Sequence, residues 1–392
     1  MSEFKSPPLS GLDGANPLAF LAALGTLAVL AETEPQIKLG WESGARWVPY
    51  LVSPHPLEES ELLKRLLGPL RGNPVDAAKE KLRESAQHRL DAAKTQLKHA
   101  TKAFKARKLS RGKERDAAWE QEIVPLQHAR DIAIRERLAA LKEAVPSPEL
   151  AIGERPDCKI EEFRDYARTM RAESGPESRR VVDLLASFGA EVSNIADERI
   201  AATQFCFITG GGHQWFLGTA RQLMTRKNPT SQDPEPSPCV TETNLRNCLF
   251  ALWTYSDEGL SMRWDPVEDT RYALRFDNPS SAGSYTVWMA NLLAYMGMAL
   301  FPCSAVSRGS IATACWLDDE DTPAFRWPIW QEPLSMNVIR SLLMQRAFAS
   351  QEIAAERSEL RARGIRAVFS SNRLKIGSAL QFKLNFSPAC GV

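Results

Sequence analysis

Between Val75 and Val145 Ala, Lys, Glu, Arg, Gln and Leu dominate the chain. Strong helix formers in such density leave few other folded states open. Leu90, Ala93, Leu97, Ala100 and Phe104 recur at the three- and four-residue intervals of a heptad-like seam. The pattern breaks at "LSRGKER", where Gly112 permits a reversal, and resumes with Trp119, Ile123, Leu126, Ala129, Ala133, Leu138 and Leu141. Pro125 has no N–H to donate, so the return arm is expected to be kinked or in two pieces. The spacing predicts an antiparallel helical hairpin over Val75–Val145, with a first arm of about 35 residues reaching roughly 50 Å at 1.5 Å per residue. "VPSPELAIGERPDC" (Val145–Cys158), with three prolines, reads as the linker back to a globular body.

The same segment holds most of the chain's charge asymmetry. The formal net charge is only +1, yet Lys94, Lys98, Lys102, Lys105, Arg107, Lys108, Arg111, Lys113 and Arg115 face Glu114 alone, so the window Lys94–Arg115 is +8 and the remainder is −7. Lys94, Lys98, Lys102 and Lys105 fall at helical spacing and share a face away from the apolar seam, while Arg107 to Arg115 crowd the turn. Like charges held together repel. A polyanion relieves that repulsion, and each neutralised phosphate releases condensed counterions. Solvated cationic faces also occur on long helices that bind nothing, but an imbalance of nine to one favours a phosphate contact.

At 392 residues the chain exceeds the usual size of a single core. The expected division is an N-terminal α/β segment (1–74), the basic hairpin (75–145), an α+β body (146–334) and a C-terminal helix with strands (335–392). "LAFLAALGTLAVLA" (Leu18–Ala31) is too short to span a bilayer and no cluster of positive charge precedes it, so it reads as a buried helix rather than a targeting signal. Asn16 is suited to cap it and Pro17 to open it. Ile37–Trp41 and Trp47–Val52, separated by Gly44, read as a β-hairpin. Ile160–Arg171 and Arg179–Gly189 read as helices, the second closed by its glycine. Asn244–Tyr255, Thr286–Leu300 and a long Ser335–Arg363 also read as helices, whereas Arg271–Phe276 and Ile365–Phe386 alternate like strands. The fold class is α+β, a mixed helical and β body with the long hairpin inserted.

Local chemistry is sparse. Seven cysteines, odd in number and never in C-x-x-C spacing, argue against a disulfide framework and a zinc site and place the chain in a reducing cytoplasm. "ATQFCFITGGGHQWFL" (Ala202–Leu217) reads as a β run, a glycine loop and a helix start. Gly210, Gly211, Gly212, His213 and Gln214 can present backbone N–H groups to a phosphate, although a tight strand-to-helix turn accounts for the same string. It is neither a Walker loop nor a dinucleotide fingerprint. His213 lacks a recognisable Asp or His partner for general-base work. "DDEDT" (Asp318–Thr322) lacks calcium-loop spacing. The Trp-rich strings Arg263–Pro266 and Arg326–Trp330 suit core packing better than base stacking. No cofactor and no metal is expected.

"LSGLDGANPLAFLAALGTLAVL" (Leu9–Leu30) resembles the start of large-subunit proteins of the type I-G (formerly I-U) CRISPR effector, in which an Asn-Pro or similar turn opens an apolar "LxALGxL" helix. Weaker similarity lies in Met262–Phe276, Ala290–Pro302 and Arg326–Leu343. The resemblance implies a non-enzymatic subunit of the Cascade surveillance complex that contacts guide RNA and target DNA beside backbone and other Cascade subunits, helps read the short adjacent motif, and offers a landing site for the helicase-nuclease, with no membrane partner. Guide pairing would supply target specificity while the protein reads backbone shape and a short duplex. Large subunits often finish in a helical bundle; strand-like sequence ends this chain instead. Two other readings stand beside this one: a metal-dependent nuclease of a defence locus using His213 and nearby carboxylates, and an adaptor whose hairpin docks on an acidic protein.

Overall fold

The structure, a computed structural model, describes residues 3–107, 112–173, 179–192, 198–208, 215–225, 238–268, 285–306, 310–319, 322–353, 355–377 and 382–392. The helices among them are α1 (Pro17–Ala31), α2 (Glu59–Arg71), α3 (Ala77–Ala106), α4 (Lys113–Glu122), α5 (Val124–Glu143), α6 (Ile160–Glu173), α7 (Arg179–Phe188), α8 (Phe216–Thr225), α9 (Glu242–Phe250), α10 (Trp288–Gly297), α11 (Met336–Leu343) and α12 (Arg357–Ala362). The strands are β1 (Phe4–Lys5), β2 (Lys38–Ser43), β3 (Trp47–Ser53), β4 (Gly189–Ala190), β5 (Ala201–Ala202), β6 (Asp257–Glu258), β7 (Tyr285–Thr286), β8 (Cys303–Ala305), β9 (Ile311–Thr313), β10 (Trp316–Leu317), β11 (Ala324–Trp330), β12 (Leu334–Ser335), β13 (Ile365–Gly377), β14 (Phe382–Phe386) and β15 (Cys390–Gly391). The fold is α+β. Met1–Gly72 and Glu154–Val392 form one compact unit and Asn73–Gly153 a second. The stretches before and after the arm therefore share one body, because β12 pairs with β2 (Leu334 opposite Leu39) and α1 packs on α10.

In the larger unit α1 is the central rod. Asn16 Oδ1 accepts the Ala19 amide at 3.1 Å, Pro17 opens the first turn, and every residue from Pro17 to Leu30 is buried. Thr26 survives in that setting by donating its hydroxyl to the Ala22 carbonyl at 2.9 Å. One sheet runs β1-β3-β2-β12, with Leu39 opposite Leu51 and Trp41 opposite Pro49. The other runs β10-β11-β13-β14 with β15 also on β13, and its register shifts between Ile329 and Trp330. Trp316 and Phe325 of this second sheet belong to an aromatic core. Phe205 sits 5.1 to 5.8 Å, ring centre to ring centre, from Trp264, Phe301, Trp316 and Phe325. Trp264, Trp327 and Trp330 are fully or almost fully buried, so the Trp-rich strings serve the core.

Three expectations are corrected. Ser335–Arg363 is not one helix: α11 stops at Leu343, a 3-10 turn spans Arg346–Ala349, and α12 begins at Arg357. The carbonyls released at the breaks are taken by distant donors, Leu343 O by the Cys315 thiol at 3.4 Å and Ser350 O by Arg326. Tertiary hydrogen bonding overrides helix propensity there. Gly189 is not a helix cap but a strand residue opposite Ala202, so close to the Ala201 carbonyl that a Cβ would clash. The β run expected from Ala202 ends there: 203–208 is irregular, and Phe205 turns into the core instead. Arg271–Phe276 lies outside the described residues.

Among the described residues no helix is long and apolar enough to cross a membrane. Burial pushes the Cys158, Cys206 and Cys239 thiols up to about 12, and all seven cysteines are unbridged. Thiols held protonated in this way are poor nucleophiles and poor metal ligands.

Candidate nucleic-acid interface

The smaller unit carries the basic residues. Asp76 caps α3 by accepting the Ala78 and Lys79 amides at 2.7 and 3.3 Å. The helix then runs 30 residues, about 45 Å. It lies antiparallel to α5, as the pairs across the two arms show: Lys79 with Glu143 at 3.1 Å, Arg89 with Glu136 at 3.1 Å, Arg137 with Gln87 at 2.6 Å, and Arg107 with Glu122 at 2.6 Å. Near the far end Phe104, buried, meets Trp119 edge to face at 5.2 Å. The return arm is in two pieces: α4 ends at Glu122, and Pro125 stands in the first turn of α5, where its missing donor has no partner to lose.

On α3, Lys94, Lys98, Lys102 and Lys105 are exposed. None of the four has an ion-pair partner among the described residues, whereas Arg83 and Arg89 on the same helix and Arg107 at its C-cap do. No carboxylate occurs between Asp91 and Glu114 to neutralise them. Arg107 belongs to the protein's own framework: its guanidinium holds Glu122 and lies 5.1 Å over the Phe104 ring. Lys113 is exposed and Arg115 half-buried in the first turn of α4, where Glu114 and Asp116 suit the helix dipole. Lys108 and Arg111 lie outside the described residues, as do Gly210, Gly211, Gly212, His213 and Gln214. Among the described residues of the basic cluster, the lysine ladder and Lys113 are exposed and without an ion-pair partner, and so free to meet an anion.

A second polar cluster was not read from the sequence. Asp265, fully buried, accepts from Asn16 Nδ2 at 2.9 Å, from the Tyr255 hydroxyl at 2.8 Å and from the Val267 amide at 2.9 Å. Glu268 lies beside it, its two oxygens hydrogen-bonded to the Ser261 and Thr286 hydroxyls. Asn291 on α10 donates to Thr286 Oγ1 at 2.8 Å and accepts the Met262 amide at 2.7 Å. Asn16 thus caps α1 and ties it to the "RWDP" turn, while Trp327 donates to the Gly14 carbonyl at 2.8 Å. The signal available beforehand was the position of Asn16 before Pro17; nothing local named Asp265 as its partner.

Burial pushes the Glu268 carboxyl up to about 8; the Asp265 carboxylate adds to the rise, and the Ser261 and Thr286 hydroxyls and Arg263 oppose it. The folded chain binds this proton more tightly than the unfolded chain does. Its stabilising contribution is complete below the ordinary glutamate range and is lost as pH rises to about 8. Glu268→Gln cannot ionise, so it should match the parent near pH 4 and exceed it at pH 9, by on the order of 4 kcal/mol. Urea unfolding of both proteins at the two pH values measures this, and parallel curves would refute it.

Among the described residues no three His, Cys, Asp or Glu side chains come together as a metal site. Asp318 of the acidic run accepts from the distant Gln204 side chain at 3.4 Å, and Asp319 accepts the Thr322 amide of its own loop at 3.0 Å. No family model and no curated protein matches the chain.

Proposed function

We propose that this chain is a non-catalytic nucleic-acid-binding subunit, and that the lysine face of α3 lies along a sugar-phosphate backbone. One observation carries the reading: Lys94, Lys98, Lys102 and Lys105 stand exposed on one face over about 16 Å of helix, without ion-pair partners among the described residues. Four uncompensated charges in a row raise the local potential, and counterion release on meeting phosphates converts that potential into affinity. The resemblance of Leu9–Leu30 to large subunits of type I-G CRISPR effectors supports a specific setting. There the chain sits in a cytoplasmic RNA-guided surveillance complex with guide RNA, target DNA, backbone subunits and a helicase-nuclease, and the arm holds duplex DNA or the displaced strand.

The test is a variant with Lys94, Lys98, Lys102 and Lys105 all changed to Gln, a residue that keeps helix propensity. Its binding to a 30-base-pair duplex should weaken by about tenfold to a hundredfold at low salt, with unchanged circular dichroism. Equal affinity in gel-shift titrations would remove the arm from the interface.

A further inference from the structure

A cleft of about 390 Å³ opens in the larger unit, lined by Trp41 and Ser43 of β2 and Trp47 of β3 from the four-stranded sheet, and by Trp330 at the end of β11, Gln331, and Arg366 of β13 from the five-stranded one. Its volume lies in the range of ordinary small-molecule sites. The chemistry of its lining is one-sided. Arg366 is exposed and has no ion-pair partner among the described residues. Ser43 and Gln331 can both donate, and no carboxylate lines the cleft.

The indoles of the larger unit differ in how they are satisfied. Trp41 is 5 % exposed and its Nε1, shut off from solvent, has no hydrogen-bond partner among the described residues, as is also true of Trp316 Nε1. The benzo edge of the Trp41 ring lies over Gly14, where a Cβ would stand 2.7 Å from Cζ3. A buried N–H without an acceptor costs on the order of 1–3 kcal/mol. Trp327 and Trp330, by contrast, satisfy their indoles on the carbonyls of Gly14 and Leu39 at 2.8 Å. Trp47 is half-buried, and its ring is paired with no other aromatic ring among the described residues.

We propose that this cleft binds a nucleotide, with the planar heterocycle against the Trp47 ring, acceptors on the heterocycle or sugar taking the Ser43 hydroxyl and the Gln331 amide, and the phosphate against Arg366. An aromatic face, two polar donors and an unpaired guanidinium around one space match the three chemical parts of such a ligand. The site goes beyond the role proposed for the arm, since every residue in it belongs to the other unit.

The experiment uses the full chain with the four arm lysines changed to Gln, which removes the lysine ladder from the residual binding, and the cleft variants report on the rest. Calorimetric titrations with thymidine monophosphate and with a ten-residue oligothymidylate are compared, with Trp47→Ala and Arg366→Gln added in turn. Each substitution should weaken binding by about tenfold. Binding of both probes means a site for free nucleotides, and binding of the oligonucleotide alone means a site for one unit of a single strand. Absence of binding by both probes, or affinity unchanged in Arg366→Gln, overturns the proposal. Arg366 is exposed, so that variant keeps its fold and decides the matter if Trp47→Ala does not fold. Duplex binding by the chain with its arm lysines intact is scored separately, so either site can fail without the other.

Discussion

Gly25→Ala should destabilise the protein by about 3 kcal/mol or more, although alanine is the better helix former. Where α1 crosses α10 the two backbones touch. A Cβ at Gly25 would lie inside contact distance of the Leu293 carbonyl and 3.0 Å from the Gly297 amide nitrogen. Gly297 faces the same limit from the other helix, against the Leu21 carbonyl and 3.0 Å from the Gly25 nitrogen. Main-chain atoms cannot rotate aside as a side chain can, so relief requires the helices to separate along a contact buried on every side. The gain in helix propensity, up to about 1 kcal/mol, is smaller than the cost. Urea unfolding checks the effect for Gly25→Ala and Gly297→Ala. A midpoint equal to that of the parent would show that the crossing is looser than described.

Phe205→Ala should cost about 3–5 kcal/mol, the range for deleting a large buried ring. The residue is fully buried and stands edge to face with Trp264, Phe301, Trp316 and Phe325, so its removal strips contacts from four rings at once. Collapse is resisted because Trp264 Nε1 donates to the Phe205 carbonyl at 3.0 Å and pins the backbone. Near-ultraviolet circular dichroism should lose intensity together with the stability. Leu252→Ala serves as the comparison: at 73 % exposure it should change stability by less than about 0.5 kcal/mol. A loss below about 1 kcal/mol for Phe205→Ala would contradict the place of this ring at the centre of the core.

What could be read from the sequence was whatever is encoded within a few residues. Asn16 and Pro17 mark the start of α1 because a cap acts three residues away, and Trp41 and Trp47 lie on the two strands that flank a short turn. The lysine ladder was legible for the same reason, since helical periodicity fixes which side chains share a face. What failed depends on partners far along the chain. Gly189 looked like a cap until Ala202 was seen beside it, and the helix expected over Ser335–Arg363 breaks where Cys315 and Arg326 take its carbonyls. Arg107 looked free because its partner, Glu122, lies beyond the reversal. Trp47 and Arg366 carried no local sign of sharing a cleft, and Asp265 none of holding Asn16.

The electrostatic account of the arm is tested most directly by the salt dependence of duplex binding. For B-DNA the slope of log Kobs against log salt is about −0.9 per phosphate neutralised. The parent and the variant with Lys94, Lys98, Lys102 and Lys105 changed to Gln should therefore differ in slope by about 3 to 4, the variant being the shallower. Two parallel lines would contradict the claim that these four side chains lie on phosphates.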